Sequence, residues 1–88
     1  MKNLMVVLID HRKKNAVQVQ KILSEWGCLI RTRLGIHEGV LENCSEEGLV
    51  VLDLVGDREK HERLMERLNA LPGVKAKLVS ISFEEEGK

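Results

Sequence analysis

Two dense apolar runs, Leu4–Ile9 and Leu49–Val55, constrain the fold of this chain more than any other feature. Both are short and rich in β-branched residues, as strands are, and each is followed by a segment with apolar residues at helical spacing. Two further stretches, Cys28–His37 and Val74–Phe83, alternate or carry strand-forming residues. The order is therefore strand, helix, strand, strand, helix, strand.

This order predicts one domain over residues 1–88, with the α+β class and a ferredoxin-like βαββαβ sandwich. Right-handed crossovers place the four antiparallel strands in the order 4-1-3-2, with both helices on one face. The second helix should bury an apolar face, which consists of His61, Leu64, Met65, Leu68 and Leu71. Gly27 follows the first helix, and we expect it to be a left-handed C-cap.

Strand two alternates between apolar and polar residues, which predicts the face on which each side chain lies. We expect Cys28, Ile30 and Leu34 to face the helices, and Arg31 and Arg33 to lie on the open face of the sheet. The same alternation predicts a buried Cys28 that reacts slowly with thiol reagents.

Asp53 is the one charged residue within the apolar third strand. A charge on an apolar face requires a partner, so we expect Asp53 near Arg31 or Arg33. The arginines could bind an anionic effector, or the pair could be a salt bridge that sets the register of a dimer. Lys13 and Lys14, near the start of the first helix where N–H groups favour anions, complete the candidate effector site.

The composition excludes several classes of function. The chain has 14 basic and 14 acidic residues and a formal net charge of zero, so we expect no nucleic-acid binding. Its central strands also lack the stacking aromatic residues of an RNA-recognition motif. We found no phosphate loop and no nucleophile beside a base, so we expect neither enzymatic activity nor a cofactor.

The location is expected to be cytoplasmic. No apolar run approaches the roughly 20 residues of a membrane span, and the apolar N-terminal run lacks a signal-peptide cleavage site. The two cysteines, Cys28 and Cys44, are too few for a secreted disulfide scaffold.

Self-association is expected because strands one and three are apolar on both sides, whereas the helices cover one side. Such an exposed apolar face is typical of an interface. We expect a homodimer or a higher even-numbered oligomer that stacks or extends the sheets.

A second hypothesis is a metal-binding module. His37 and Cys44 flank the predicted hairpin, where an imidazole and a thiolate could hold a soft divalent ion with help from a second subunit. A third hypothesis is a structural interaction protein without a small ligand.

Most of the chain, from about Leu4 to Ile81, resembles the iron-only hydrogenase system regulators, which are short stand-alone ACT-like proteins. The resemblance lies in VVLIDHRKKNAVQVQKILSEWGCLIRTRLGIHEG, EEGLVVLDLVGD and LPGVKAKLVSI, and above all in Arg33-Leu34-Gly35 and the Leu-Pro-Gly-Val turn. It implies a regulatory module that binds a small effector or a partner protein at a dimer seam. The topology is also similar to the C-terminal domain of nickel-responsive repressors and to amino-acid-binding ACT domains. Of the His-x-His pair and cysteine that hold metal in the repressors, this chain has His37 and Cys44.

Overall fold

The computed structural model describes residues 1–10, 13–37 and 48–83, with the backbone alone for 13–16 and 36–37. The elements are β1 (Lys2–Ile9), α1 (Lys13–Glu25), a 3₁₀ turn (Gly27–Leu29), β2 (Ile30–His37), β3 (Gly48–Leu54), α2 (Arg58–Asn69) and β4 (Val74–Ile81). Within these ranges, neither helix has the length and apolar character that crossing a bilayer requires.

The four strands form one antiparallel sheet in the order β2-β3-β1-β4. This confirms the predicted α+β, ferredoxin-like fold, including the pairing of β2 with β3. Both helices contribute to a single core on one side of the sheet. The other side, which we call the open face, carries no helix among the described residues.

The core is built from alternate strand residues and one stripe of each helix. Its fully buried members are Met5, Val7, Val19, Leu23, Leu52, Leu64 and Leu68. Burying each of these side chains contributes roughly 1.5–3 kcal/mol, so they supply most of the stability of the fold. The predicted face of α2 is confirmed: His61 is only 1% exposed, and its Nε2 lies 2.8 Å from the carbonyl oxygen of Val55.

A β-bulge at Arg31 changes the faces that were predicted for β2. Ile30 pairs with Leu54, but the next paired residue, Thr32, is opposite Asp53, so Arg31 is an extra residue in the ladder. A bulge of this kind shifts the alternation of every residue that follows it by one. The residues after Arg31 therefore lie on the faces opposite to those that simple alternation assigns.

Two predicted orientations are wrong for this reason. Leu34 was expected beneath the helices, but it lies on the open face and is 58% exposed. Arg33 was expected on the open face, but it lies on the helix side, where its guanidinium donates a hydrogen bond to the side-chain oxygen of Gln20 on α1. Arg33 is consequently not a neighbour of Asp53.

The connection between α1 and β2 also differs from the prediction. Gly27 is not a left-handed C-cap; it begins the 3₁₀ turn, and the described glycines with positive φ are Gly56 and Gly73. The turn delays the start of β2 until Ile30 and leaves Cys28 exposed instead of buried. Gly73 has φ 77° and ends the predicted turn before β4.

A side chain covers one point on the β4 edge of the sheet. Asn69, the last residue of α2, donates a hydrogen bond from Nδ2 to the carbonyl oxygen of Ala76 at 3.0 Å. Its Oδ1 accepts one from the backbone N–H of Ala76 at 2.7 Å. The amide thus occupies, at this point of β4, the position that a fifth strand would take.

We predict that Asn69→Ala lowers the free energy of unfolding by about 1–2 kcal/mol, because it removes two hydrogen bonds and water replaces them only in part. In a chain of this size that loss lowers Tm by roughly 4–16 °C. Glu66→Ala, at an exposed position of the same helix, is the control and should stay within about 0.5 kcal/mol of the parent. Equal stability of the two variants in urea would show that the amide does not hold β4.

We predict that Cys28 reacts with a thiol reagent in the folded protein, since the 3₁₀ turn exposes it. The measurement is the rate of Ellman's reaction for the Cys44→Ser variant, with and without denaturant. The two rates should lie within about tenfold of each other, because only weak local protection is expected at an exposed site. A thiol that reacts only after unfolding would contradict the exposed position of Cys28 in the 3₁₀ turn.

Candidate functional site

A charged cluster lies on the open face around Asp53. Asp53 Oδ2 is 3.1 Å from Lys2 Nζ and 4.0 Å from Arg31 Nε. Asp53 faces Leu4 on β1 and Thr32 on β2 in the sheet register. The structure thus brings together two of the predicted site residues, Arg31 and Asp53, and adds Lys2.

The carboxylate of Asp53 is only partly satisfied. Its side chain is 21% exposed, and Oδ1 is buried with no hydrogen-bond partner among the residues that the structure describes. Its two cationic neighbours are more than half exposed, so solvent weakens both ion pairs. A buried acceptor without a donor lowers the stability of the fold. Stability alone therefore does not account for an aspartate at this position.

Around this cluster, the open face is a contiguous apolar surface. The strand register places eight apolar side chains on it: Leu4, Val6, Leu8, Leu34, Leu49, Val51, Val79 and Ile81. All of them are exposed or half-buried. Four strands about 4.8 Å apart and seven or eight residues long give the whole face, with its charged residues, an area of about 500 Å². Exposed patches of a few hundred Å² are often functional in monomeric proteins.

The charges on this face are unbalanced in favour of cations. On the strands, its described residues carry four basic side chains, Lys2, Arg31, Lys75 and Lys77, and one carboxylate, that of Asp53. A second carboxylate, that of Asp10 just after β1, lines a groove with Leu8 and Lys75. The side chains of Lys75 and Lys77 make no ion pair or hydrogen bond with other residues in the described ranges. The face therefore attracts anions, although the whole chain is neutral.

The grooves on this side of the described sheet include two along β4. The first, of about 610 Å³, runs along β4 and is lined by Val6, Leu8, Asn69, Lys75, Ala76, Lys77 and Val79; we call it the β4 groove. The second, of about 350 Å³, lies at the other end of β4 and is lined by Met1, Lys2, Leu4, Ile81, Ser82 and Phe83. Each combines an apolar floor with lysine at its rim.

The other predicted site residues lie elsewhere. α1 begins shortly after Ile9, which pairs with Gly48 and Val74, so Lys13 and Lys14 lie at the end of the sheet remote from Asp53. His37 pairs with Gly48 at that same end. Cys44 lies outside the described residues, and the parts of the chain that are described contain no group of three or more potential metal ligands.

Sequence reasoning missed Lys2, Lys75 and Lys77. The alternation of VKAKLVSI over β4 contained the signal, because it places Lys75, Lys77, Val79 and Ile81 on one side of the strand. Which face this side joins depends on the pairing of β4 with β1, where Lys77 is opposite Val6 and Lys75 opposite Leu8.

Solved structures confirm the fold. The chain is similar to an uncharacterized protein of Thermotoga maritima, TM1266, with a TM-score of 0.76 and 24% identity over 89% of this chain and 92% of that one. It is also similar to the ACT domain of the GTP pyrophosphokinase of Chlorobium tepidum, with a TM-score of 0.71 and 16% identity over 97% and 92% of the two chains. A formyltetrahydrofolate deformylase of Pseudomonas putida KT2440 contains a similar unit, with a TM-score of 0.59 and 14% identity over 92% of this chain and 29% of that chain.

The chain has an ACT-like, ferredoxin-like fold. At these identities the likeness concerns the fold and not the ligand. No protein-family model matches the sequence, and no curated protein matches it significantly. Any specific function must therefore be argued from the chain's own residues.

We predict that Asp53→Leu changes the free energy of unfolding by less than about 1 kcal/mol. The substitution removes ion pairs that are worth roughly 0–1 kcal/mol at exposed sites, and it also removes the unpartnered Oδ1. Leu52→Ala, next to it on the same strand but facing the core, is the contrasting control and should cost about 2–5 kcal/mol. If both variants lost a comparable amount of unfolding free energy in urea denaturation, Asp53 would stabilise the fold as strongly as a core residue does.

Proposed function

We propose that the protein is a non-enzymatic, ACT-like regulatory module that binds an anionic effector with an apolar portion on the open face of its sheet. The observation that supports this is the β4 groove, where Lys75 and Lys77 stand without partners in the described structure beside Val6, Leu8 and Val79. Cations beside an apolar floor suit a ligand that is itself amphipathic.

The magnitudes favour an amphipathic ligand over a simple anion. An exposed ammonium–carboxylate pair contributes only about 0–1 kcal/mol. Burial of apolar surface contributes roughly 25 cal/mol per Å², so an aliphatic chain of several carbons supplies more of the binding free energy than its head group. The lysines then select the sign of the charge, and the floor of the groove supplies most of the affinity.

Of the predicted effector residues, Arg31 and Asp53 remain in the proposal. They lie on β2 and β3 of the same face, whereas the β4 groove follows the opposite edge of the sheet, so Arg31 offers its guanidinium to a second, separate anion. Arg33 is not included because it contacts Gln20 on the helix side, and Lys13 and Lys14 are not included because the structure describes only their backbone.

We further propose that the module acts as a homodimer in the cytoplasm. The support is the apolar character of the open face and of Leu34 at the edge of the sheet. If the dimer extends the sheet instead of stacking two open faces, the effector surface stays accessible in the dimer.

A role in regulating the iron-only hydrogenase system also belongs to the proposal, and its support is the sequence resemblance alone. Deletion of the gene should alter hydrogenase activity in the host, and a Lys75→Ala/Lys77→Ala copy should fail to restore it. Complementation by that copy would separate the regulatory role from the β4 groove.

The metal-binding alternative makes a different prediction. If His37 and Cys44 held a metal, protein purified without a histidine tag would contain about one ion per one or two chains by elemental analysis, and Cys44→Ser would lose it. A structural interaction protein would bind neither metals nor small anions, so neither would change its Tm.

We predict that octanoate raises Tm, because a ligand that binds only the folded state stabilises it by mass action. At a concentration of about ten times Kd the gain is about 1.4 kcal/mol, which corresponds to several degrees for a chain of this length. Acetate at the same concentration should produce little shift, because it lacks the apolar portion, and octylamine should produce little because its charge is repelled.

The Lys75→Ala/Lys77→Ala variant should lose most of the octanoate shift and keep its own Tm. Lys60→Ala, which removes an exposed lysine from α2, is the matched control and should keep the shift. An octanoate shift that survives in the double variant would place the binding site elsewhere, and no shift with the parent protein would contradict the amphipathic ligand.

A further inference from the structure

Two cations share one carboxylate at the end of the open face where β4 stops. Lys2 lies opposite Ile81, the last residue of β4, and Arg31 is at the same end of the sheet on β2. Their side chains are 56% and 61% exposed, and within the described ranges the carboxylate near both of them is that of Asp53. This end of the face therefore has an excess of positive charge that a further anion can bind.

The chain leaves β4 at this end with three consecutive glutamates, residues 84–86, which lie outside the described residues. Phe83, directly before them, lines the second groove together with Lys2, Leu4 and Ile81. Because Leu4 and Ile81 belong to the open face, the chain at Phe83 lies beside that face and not beneath the helices. The glutamates therefore start next to the cations.

The reach of these glutamates matches the spacing of the cations. An extended residue spans about 3.4 Å and neighbouring strands are about 4.8 Å apart, so three residues can cross from β4 over β1 to β3. Lys2 is on β1, and the Arg31 guanidinium extends from β2 to Asp53 on β3. Lys77 lies four residues back along β4, about 14 Å from Ile81. Lys2 and Arg31 are therefore the cations that the glutamates meet first.

We propose that residues 84–86 fold back over this end of the open face and form ion pairs with Lys2 and Arg31. The occupant of the second groove is then the chain's own acidic segment. Each exposed ion pair is weak, but a tethered segment has an effective concentration in the millimolar range, so weak pairs suffice to hold it. The same weakness makes the contact reversible and sensitive to salt.

Apolar contacts at the same end add to the charge complementarity. Phe83 is fully exposed in the described structure, and Ile81 is 57% exposed. When residues 84–86 turn back over the face, they hold the Phe83 ring against Ile81 and Leu4, and apolar surface leaves water. The ion pairs thus set the direction of the segment, and the ring anchors its start.

This contact divides the open face into a covered part and a free part. The second groove is covered by the acidic segment, whereas the β4 groove with Lys75 and Lys77 lies farther along β4 and stays open to an effector. The inference goes beyond the proposed function, because it concerns Lys2 and Arg31, whereas the octanoate experiment tests the other two lysines.

Disulfide formation within one chain tests the contact. In a background whose two native cysteines are serines, Gly87→Cys places a thiol just after the glutamates, and Thr32→Cys places a second thiol beside Asp53. Val6→Cys is the matched alternative to Thr32→Cys, because strand spacing and rise put both positions about 15 Å from Ile81. The path to Val6 does not pass Arg31.

With oxidised glutathione and dilute protein, we expect the Thr32 pair to close roughly fivefold faster than the Val6 pair, as measured by mass spectrometry after alkylation of free thiols. Lys2→Gln/Arg31→Gln should slow closure of the Thr32 pair roughly fivefold, and NaCl at about 0.5 M should slow it similarly. Lys60→Gln/Arg63→Gln, which removes the same charge from exposed positions of α2, is the control and should leave the rate unchanged. Asp53→Asn should speed closure, because it removes the competing carboxylate.

The outcomes distinguish this contact from the effector site. Equal rates for the two cysteine pairs, or a Thr32 rate that Lys2→Gln/Arg31→Gln does not change, would overturn the contact. A faster Val6 pair would direct the segment towards the β4 groove and would also overturn it. An absent octanoate shift together with rapid closure of the Thr32 pair would overturn the proposed effector site alone.

Discussion

The β-bulge at Arg31 is the feature on which the arrangement of the functional surfaces depends. It adds one residue to β2 between the pairs Ile30–Leu54 and Thr32–Asp53, so all later residues of β2 change faces. Without it, Leu34 would lie beneath the helices and Arg33 on the open face. With it, the open face gains Leu34 and loses an arginine, and Arg31 is left beside Asp53. Bulges often re-aim side chains near functional sites in this way.

The open face is the surface that our interpretation assigns to a ligand. It offers an apolar floor with lysines at its rim, which suits an amphipathic anion. The two edges of the sheet differ, because the Asn69 amide covers the backbone of Ala76 on β4, whereas β2 is exposed from Arg31 to Gly35.

The fold is shared with ACT domains, yet a fold does not define a ligand. A small sheet with helices on one side leaves one face and two edges available, and different sequences can use them differently. In this chain the described open face carries a net positive charge although the chain as a whole is neutral. The distribution of charged residues over the surface therefore indicates the function better than the net charge does.

The sequence by itself determined the order of the elements, the apolar face of α2 and the position of Asp53 on the open face, with Arg31 and Arg33 left as alternative partners. These features follow from local periodicity, which a strand or helix expresses wherever it lies in the fold. Tertiary structure alone decided that Arg33 contacts Gln20, that Leu34 is exposed, that Cys28 lies in a 3₁₀ turn, and that Lys75 and Lys77 share a face with Leu8. Each of these depends on the register between strands that are distant in sequence, and a shift of one residue in that register reverses the faces without changing the local pattern.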